Sequence, residues 1–319
     1  MTITLLAPEW ADNARLQRAA NNSPPIRAGD PDRVAVKLLQ EALISAGFDM
    51  VAGADGGFGQ QTANAIIAAE KRFSFQLDGG VAGREVIGAL DLSQRGWDPP
   101  DGAHWGGLIA RTIVPLAQRK VTAALVALGE VQAMLSTGGF DFVTVDGVTL
   151  TALNSHFKLV GPGGSKSPIQ EFITLERIIQ ITTNFRGIQR TLNNPAMIRN
   201  SICTISLDTA AEAPFGGPIL FGPPYSDFAL EPVEETNIDV TGENSLAAMM
   251  IHEATHVIDN ISSDNVTTHI SESTLPYETQ AATFARHNPS AYATFAAHVF
   301  AGADRPREER FGLGKGRPF

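Results

Sequence analysis

The chain has 319 residues, of which 43% are hydrophobic, so it is long enough for two domains that include one sizeable core. Its formal net charge of −10 argues against a nucleic-acid partner, because neutralising phosphates requires an excess of Lys and Arg. Its single cysteine, Cys203, excludes an internal disulfide, and no stretch approaches the roughly 20 apolar residues that span a bilayer.

The first 28 residues show little hydrophobic periodicity. They include an Asn-Asn-Ser-Pro-Pro run at 21–25, so we predict an N-terminal arm over residues 1–28 that docks loosely. The first residues lack a basic leader followed by a full apolar core. No signal peptide is therefore predicted, and we expect the protein to be made in the cytoplasm.

Three short helices joined by two Asp-Gly turns are predicted next. The first covers residues 32–48 and stops at a glycine, the second begins at Thr62, and the third ends near Leu90. The turns are Asp55-Gly56 and Asp78-Gly79. Together these elements predict a compact helical module.

This module resembles the three-helix peptidoglycan-binding domain that stands beside many cell-wall enzymes. The matching positions are Leu39, Gln40, Leu43, Gly47, Phe48, Asp55, Gly56, Phe58, Gly59, Thr62, Ala65, Lys71, Phe73, Asp78, Gly79 and Gly83. The chain departs from the family at Val86, where Thr is usual. The resemblance implies a peptidoglycan-binding-like domain over residues 29–92, with a helical spacer that has lost its ligand as the alternative.

A proline-rich linker is predicted over residues 93–106, a catalytic domain over 107–303 and a basic tail over 304–319. In the catalytic domain the periodicity predicts long helices over 108–135 and 169–192, and Pro115 either starts or kinks the first of them. Alternation around Asp146-Gly147 predicts a hairpin over 140–150.

Two strands are predicted before the helix that carries the main motif, over residues 202–207 and 218–221. Residues 217–221 are a candidate edge for pairing with a substrate backbone, and an ordinary core strand is the alternative. His156 is predicted to be packed or exposed rather than a metal ligand.

Residues 245–261 predict an apolar helix that carries the pattern His-Glu-x-x-His. His252 and His256 are four residues apart, so their rings lie on one face of the helix. Neutral imidazoles suit Zn²⁺, and a catalytic zinc site has three protein ligands and one open position. Glu253 follows the first histidine and can take a proton from water, which predicts a hydrolase.

A third ligand must come from the residues after His256. The acidic and histidine side chains available there are Asp259, Asp264, His269, Glu272 and Glu278. Glu272 is our first choice, because it lies just before Tyr277 in a loop that can fold back over the metal, and Glu278 is the runner-up. Tyr277 is predicted to stabilise an oxyanion, with simple packing at a helix start as the alternative.

The second half of the chain, over about residues 150–300, resembles the deuterolysin-like metallopeptidases, or aspzincin group. The resemblance lies in the His-Glu-x-x-His helix and in five later segments, namely 269–272, Tyr277-Glu278, Ala281-Ala282, Asn288-Pro289 and 292–296. The chain departs from the Gly-Thr-x-Asp loop of that group, since Thr274 precedes Tyr277 where an Asp is expected. The resemblance implies a zincin-like catalytic domain with Zn²⁺ as its cofactor.

These elements predict a mainly α fold with a small β component (α+β), in which a wall-binding module precedes a zincin-like domain. The predicted function is a zinc-dependent metallopeptidase that hydrolyses peptide bonds in a protein or peptide substrate and is targeted to peptidoglycan. One alternative is an amidase or endopeptidase acting on peptidoglycan stem peptides, and another is a non-catalytic wall-binding protein with a relic zinc helix.

The combination of a wall-binding module with no predicted signal peptide and no disulfide adds a hypothesis about delivery. The protein would be a bacterial effector or toxin, exported by a non-classical secretion system to the periplasm or to a target cell. A delivery apparatus and an immunity partner would then be further partners.

Overall fold

The computed structural model describes residues 3–73, 75–96, 109–138, 145–163, 165–202, 211–213, 215–221, 246–258, 270 and 275–303. These residues group into two compact units. One unit lies within Met1–Ile109, and the other lies within Ala110–Ile198, Ala211–Ile219 and Glu231–Phe319. Residues 199–202 and 220–221 are grouped with the first.

The described part of the chain is mainly helical with a few short strands, which confirms the predicted fold class. The helices are α1 (Ala14–Ala20), α2 (Arg33–Ser45), α3 (Gln60–Arg72), α4 (Arg84–Gln94), α5 (Val114–Ser136), α6 (Gly147–Phe157), α7 (Leu175–Leu192), α8 (Leu246–Ile258), α9 (Leu275–Thr279), α10 (Ala282–Ala285) and α11 (Pro289–Ala301). A π-helical turn at Ile109–Ile113 precedes α5, and a 3-10 turn at Pro195–Met197 follows α7. None of the described helices combines the length and the apolar character needed to cross a membrane.

The strands are β1 (Leu159–Val160), β2 (Glu171–Phe172), β3 (Ile198–Ile202), β4 (Ala211–Glu212) and β5 (Ile219–Phe221). β1 and β2 pair in parallel, with Leu159 opposite Glu171. The other three strands pair in the order β3-β5-β4. Since β5 lies between two partners, its backbone groups are engaged on both sides, which favours the core-strand alternative for residues 217–221.

The first unit has a core to which the N-terminal residues contribute directly. Leu5, Trp10, Leu16 and Ile26 are buried in the same cluster as apolar residues of α2, α3 and α4. The loosely docked arm predicted for residues 1–28 is therefore wrong, because these side chains are part of the core. Scattered apolar residues without a helical period gave no local sign of this packing.

Hydrogen bonds attach the N-terminal segment to α4. The backbone N–H groups of Leu6 and Ala7 donate to one carboxylate oxygen of Asp91, at 2.9 and 2.8 Å. Ile26 and Ala82 exchange two backbone hydrogen bonds, at 2.9 and 2.8 Å, just before α4 begins. Residues 3–26 are consequently an integral part of this unit.

The first Asp-Gly turn is attached to α2 by one buried side chain. The Gln40 amide donates to Asp55 Oδ1 and to the carbonyl oxygen of Gly57, both at 3.0 Å, and accepts from the Gly56 N–H at 2.8 Å. Gly56 has φ +74°, and a Cβ there would lie 2.7 Å from the carbonyl oxygen of Arg33. The turn therefore requires glycine on both conformational and steric grounds.

The second unit is built around four mutually packed helices, α5, α7, α8 and α11. The α5 helix packs on α7 and α11, and α8 packs on α5, α7 and α11. Phe157 and Phe185 contact Tyr292 and Phe295 of α11, with ring centroids 5.1 to 5.7 Å apart. This aromatic cluster fixes α11 against α6 and α7.

The structure corrects two predicted elements and decides the role of Pro115. The residues predicted to form a hairpin over 140–150 instead begin α6 at Gly147, with Asp146 at its N-cap position, so the hairpin prediction is wrong for this part. The helix predicted from residue 169 begins at Leu175, because the Thr174 side chain caps it. Pro115 lies in the first turn of α5 and therefore starts the helix.

Candidate functional site

His252 and His256 lie one turn apart on α8, and their rings converge. Their Nε2 atoms are 3.3 Å apart, and both side chains are half-buried. The i, i+4 spacing on a helix explains why the two rings point in one direction. The structure thus brings together the two ligands predicted from the sequence.

The distance between the two nitrogens fits a single bound cation. Zinc binds imidazole nitrogen at about 2.0–2.1 Å with tetrahedral geometry, which places two ligand nitrogens about 3.3–3.4 Å apart. The observed Nε2 to Nε2 distance is 3.3 Å. The separation of the two Nε2 atoms therefore matches that of two imidazole ligands on one Zn²⁺ ion.

Glu253 lies on the same helix and is only 9% exposed. Burial, with a smaller contribution from the nearby charge of Glu212, raises the pKa of the Glu253 carboxyl group to about 8. The N–H of Ala213 donates a hydrogen bond to this carboxyl group and opposes the rise. The end of β4 thus packs beside the carboxyl group that was predicted to act on water.

The third ligand is not assembled among the described residues. Within the described part of the chain, no group of three His, Cys, Asp or Glu side chains could hold a metal ion. Glu278, in α9, is among the described residues, so it is not grouped with His252 and His256. Glu272, like Asp259, Asp264 and His269, lies outside the described residues, so its role stays a prediction.

Ser290 contacts the other side of the His252 ring. The Ser290 Oγ atom lies 3.3 Å from His252 Nδ1, and Ser290 is fully buried in the first turn of α11. The Ser290 N–H donates to the Asn288 side chain at 3.2 Å, which caps this helix. Each nitrogen of the His252 ring therefore has a defined neighbour, His256 at Nε2 and Ser290 at Nδ1.

Tyr277 lies in a fully buried polar cluster. Its hydroxyl group is 2.7 Å from Thr294 Oγ1 and 3.1 Å from His156 Nδ1. His156 Nε2 is in turn 3.0 Å from His298 Nδ1. The predicted oxyanion role requires this hydroxyl to reach a substrate, whereas the structure encloses it among protein groups, as the packing alternative predicts.

The sequence prediction missed three residues that organise this region, Ser290, Thr294 and His298. They occur every four residues along α11, so they lie on one face of an otherwise apolar helix. Each contacts a different polar residue, namely His252, Tyr277 and His156. The i, i+4, i+8 spacing of these polar residues could have placed them on one helix face. Which residues they contact, however, depends on tertiary packing.

Many positions that carry the resemblance in the first unit have structural roles. Gln40, Asp55 and Thr62 hold the first turn in place. Phe48 and Phe73 meet edge to face, with ring centroids 6.0 Å apart and the Arg72 guanidinium over both rings. The departing residue, Val86, is 3% exposed in α4. These positions therefore specify how the three-helix fold packs.

Comparison with known proteins supports this assignment for the first unit. Residues 32–90 match the family of peptidoglycan binding domains. The chain is also 34% identical over 76 residues to a probable N-acetylmuramoyl-L-alanine amidase from Bacillus licheniformis. That match covers 22% of this chain and 22% of the relative, so the chain spans about a fifth of the relative's length.

No solved structure gives a significant match to the chain. The family match lies within the range 29–92 that was predicted from the sequence. The prediction of peptidoglycan binding is therefore confirmed at the level of the domain family. The chain carries an N-terminal peptidoglycan-binding domain at residues 32–90.

Proposed function

We propose that this protein is a zinc-dependent hydrolase that cleaves peptide bonds at the bacterial cell wall. The observation that carries the proposal is the convergence of the His252 and His256 Nε2 atoms to 3.3 Å, with the buried Glu253 between them in sequence. A site with this ligand chemistry suits zinc, and the adjacent carboxyl group supplies a proton acceptor.

In this proposal His252 and His256 hold the metal through Nε2, and Glu272 is the third ligand. When bound, zinc supplies Lewis acidity that polarises a carbonyl group and lowers the pKa of water. In its ionised form, which a nearby cation would favour, Glu253 would accept a proton from the attacking water and later deliver it to the leaving amine.

The peptidoglycan-binding domain supports the wall as the place of action, because it would hold the enzyme close to its substrate and raise the local concentration. The substrate is then either a protein or a peptidoglycan stem peptide. The similarity to a probable N-acetylmuramoyl-L-alanine amidase favours the second candidate, an amidase or endopeptidase on the wall itself.

The test is to incubate the full chain, with zinc supplied, with purified wall sacculi and with casein in parallel. The released fragments are identified by mass spectrometry, which also gives the bond that is cleaved. We expect zinc-dependent cleavage of one of the two substrates. The Glu253→Gln variant keeps the shape of the side chain and should lose about 10²–10⁴-fold in rate, as expected for a missing general base.

Two results would overturn the proposal. One is wild-type protein that binds no zinc after supplementation, and the other is a Glu253→Gln variant as active as wild type. The first result would leave the non-catalytic alternative, a wall-binding protein with a relic zinc helix, and the second would show that Glu253 is not the proton acceptor. Adding Tyr277→Phe to the same assay tests the oxyanion role, because a buried packing role predicts a lower melting temperature with kcat nearly unchanged.

The effector hypothesis adds that the protein is exported to the periplasm or to a target cell. An enzyme that attacks the wall should harm a bacterium only from the periplasmic side. Expression with an added export signal should therefore lyse the host, whereas expression without one should not. Equal growth in both cases, for a protein that digests sacculi in solution, would contradict the effector role.

A further inference from the structure

Ser290 contacts the one nitrogen of His252 that would not bind a metal. His252 Nε2 faces His256, while His252 Nδ1 lies 3.3 Å from Ser290 Oγ. An imidazole that binds a cation through Nε2 carries its proton on Nδ1, so this nitrogen donates to the serine oxygen. A serine hydroxyl can donate or accept, so with a cation on Nε2 it accepts the Nδ1 proton and restricts the orientation of the ring.

Ser290 is itself held in place by the start of α11. The side chain of Asn288 caps this helix by accepting from the Ser290 N–H at 3.2 Å, and Pro289 sets the first turn. Asn288 is fully buried, and its amide donates to the carbonyl oxygen of Ile270 at 2.7 Å and to Gln280 at 3.1 Å. The serine oxygen therefore occupies one defined position beside α8.

The rest of α11 is fixed by the two other polar residues on the same face. Thr294 donates to the Ser290 carbonyl oxygen at 2.7 Å and contacts the Tyr277 hydroxyl at 2.7 Å. His298 contacts His156 at 3.0 Å, and all of these side chains are buried. These contacts connect the later turns of α11 to α6 and α9, whereas Ser290, in the first turn, contacts His252 of α8.

We propose that Ser290 is a positioning residue that holds His252 in the tautomer and orientation that bind a divalent cation through Nε2. This inference rests on the proposed zinc site but adds to it a residue on a separate helix. Groups that orient a ligating histidine typically change metal affinity about 10–100-fold when they are removed. Ser290 touches neither the cation nor the substrate in this role.

The experiment measures the zinc dissociation constant of the full chain by competition with a chromophoric chelator. Ser290→Ala removes only the hydroxyl group and should weaken zinc binding about 10–100-fold. Thr294→Val is the matched control, because it removes a buried hydroxyl group one turn later on the same face of α11 without touching His252. It should bind zinc as tightly as wild type does.

A second measurement does not require metal and reports on His252 directly. Long-range ¹H–¹⁵N spectra of the apo protein distinguish the two imidazole tautomers, and His252→Gln assigns the signals. In wild type the His252 proton should reside on Nδ1, and in Ser290→Ala the two tautomers should both be populated. Ser290→Thr keeps the hydroxyl oxygen and should restore the wild-type pattern and zinc affinity.

The outcomes separate this inference from the function on which it rests. A wild-type protein that binds zinc, together with a Ser290→Ala variant of equal affinity and unchanged tautomer, would overturn the role of Ser290 alone. Equal weakening by Thr294→Val and Ser290→Ala would overturn it too, since the loss would then reflect the packing of α11. A wild type without zinc affinity would remove the proposed function and this inference together.

Discussion

Glu70 and Glu253 are both buried carboxyl groups, but only Glu253 lies beside candidate metal ligands. Glu70 belongs to the peptidoglycan-binding domain and is 1% exposed. Burial, followed by the adjacent Asp78 carboxylate, raises the pKa of Glu70 to about 8. Its Oε2 atom has no hydrogen-bond partner among the described residues. An uncharged, protonated Glu70 is therefore the form that the folded domain favours.

This shift predicts how the stability of the domain depends on pH. The pKa of Glu70 is raised on folding, so its contribution is fully present below its ordinary pKa of 4.5 and is lost as the pH rises to about 8. The loss from pH 5 to pH 8 should be on the order of 3 kcal/mol. Urea denaturation of a fragment covering residues 1–96 measures it.

The Glu70→Gln variant carries no titrating group at this position and should unfold with a much weaker dependence on pH over the same range. Glu41→Gln, which removes a largely exposed carboxyl group on α2, is the control with the same change in charge. The interpretation fails if wild type and Glu70→Gln show the same change in unfolding free energy between pH 5 and pH 8.

The helices α7 and α8 approach each other at a glycine. A Cβ atom at Gly187 of α7 would lie 2.8 Å from Ile258 Cδ1 and 3.2 Å from its Cγ2, in the last turn of α8. The absence of a side chain thus lets the helix with the two histidines pack closely on α7. Ile258 and Gly187 together set the position of α8 in the bundle.

We predict that Gly187→Val destabilises the second unit by about 1–3 kcal/mol, because the added methyl groups overpack the contact with Ile258. Gly129→Val is the control, since Gly129 lies within α5 and a Cβ there would meet nothing within 4 Å. Thermal unfolding of the two variants should show a loss only at Gly187. A melting temperature unaffected by Gly187→Val would show that α8 can move to accommodate it.

Elements with a strong local signal were predictable from the sequence, and those defined by distant contacts were not. The helices α2 to α5 and α8 have apolar residues at helical spacing, whereas the Asp146-Gly147 pair resembles a hairpin turn locally. The structure uses Asp146 to begin α6, because Ala152, Leu153, His156 and Phe157 are buried together on one helical face. A short turn motif could not outweigh that packing.

The same distinction applies to the candidate site. The two histidines and Glu253 share one helix, so their spacing sufficed to predict that the rings converge. Ser290 is 38 residues from His252 in sequence, and only the packing of α11 on α8 brings them together. Tyr277 was predicted to stabilise an oxyanion, yet its enclosed hydroxyl group contacts His156 and Thr294, which no local pattern links to it.

At the scale of the whole molecule, the peptidoglycan-binding domain is larger than its family match. The match covers residues 32–90, but the core also contains Trp10, Leu16 and other residues from the first 26. Arg15 also connects the N-terminal segment to this domain. Its buried guanidinium group forms an ion pair with Asp30 and donates to the carbonyl oxygens of Pro24 and Pro25. The N-terminal residues should therefore be required for folding.

A fragment of residues 1–96 should unfold cooperatively and sediment with purified sacculi. A fragment of residues 29–96 should not, because it lacks several fully buried side chains, each of which typically contributes about 2–5 kcal/mol. Circular dichroism on heating and sacculus sedimentation measure the two properties. Equal melting temperatures for the two fragments would mean that residues 3–26 cover a core that is already complete.

The regular spacing of Ser290, Thr294 and His298 also limits how the length of α11 can change. Inserting one residue into an α-helix rotates everything after it by about 100°. An insertion between Ser290 and Thr294 would turn Thr294 and His298 away from Tyr277 and His156 while leaving Ser290 beside His252. Homologous chains should therefore vary freely in the amino acids between these three positions, but keep the number of residues between them.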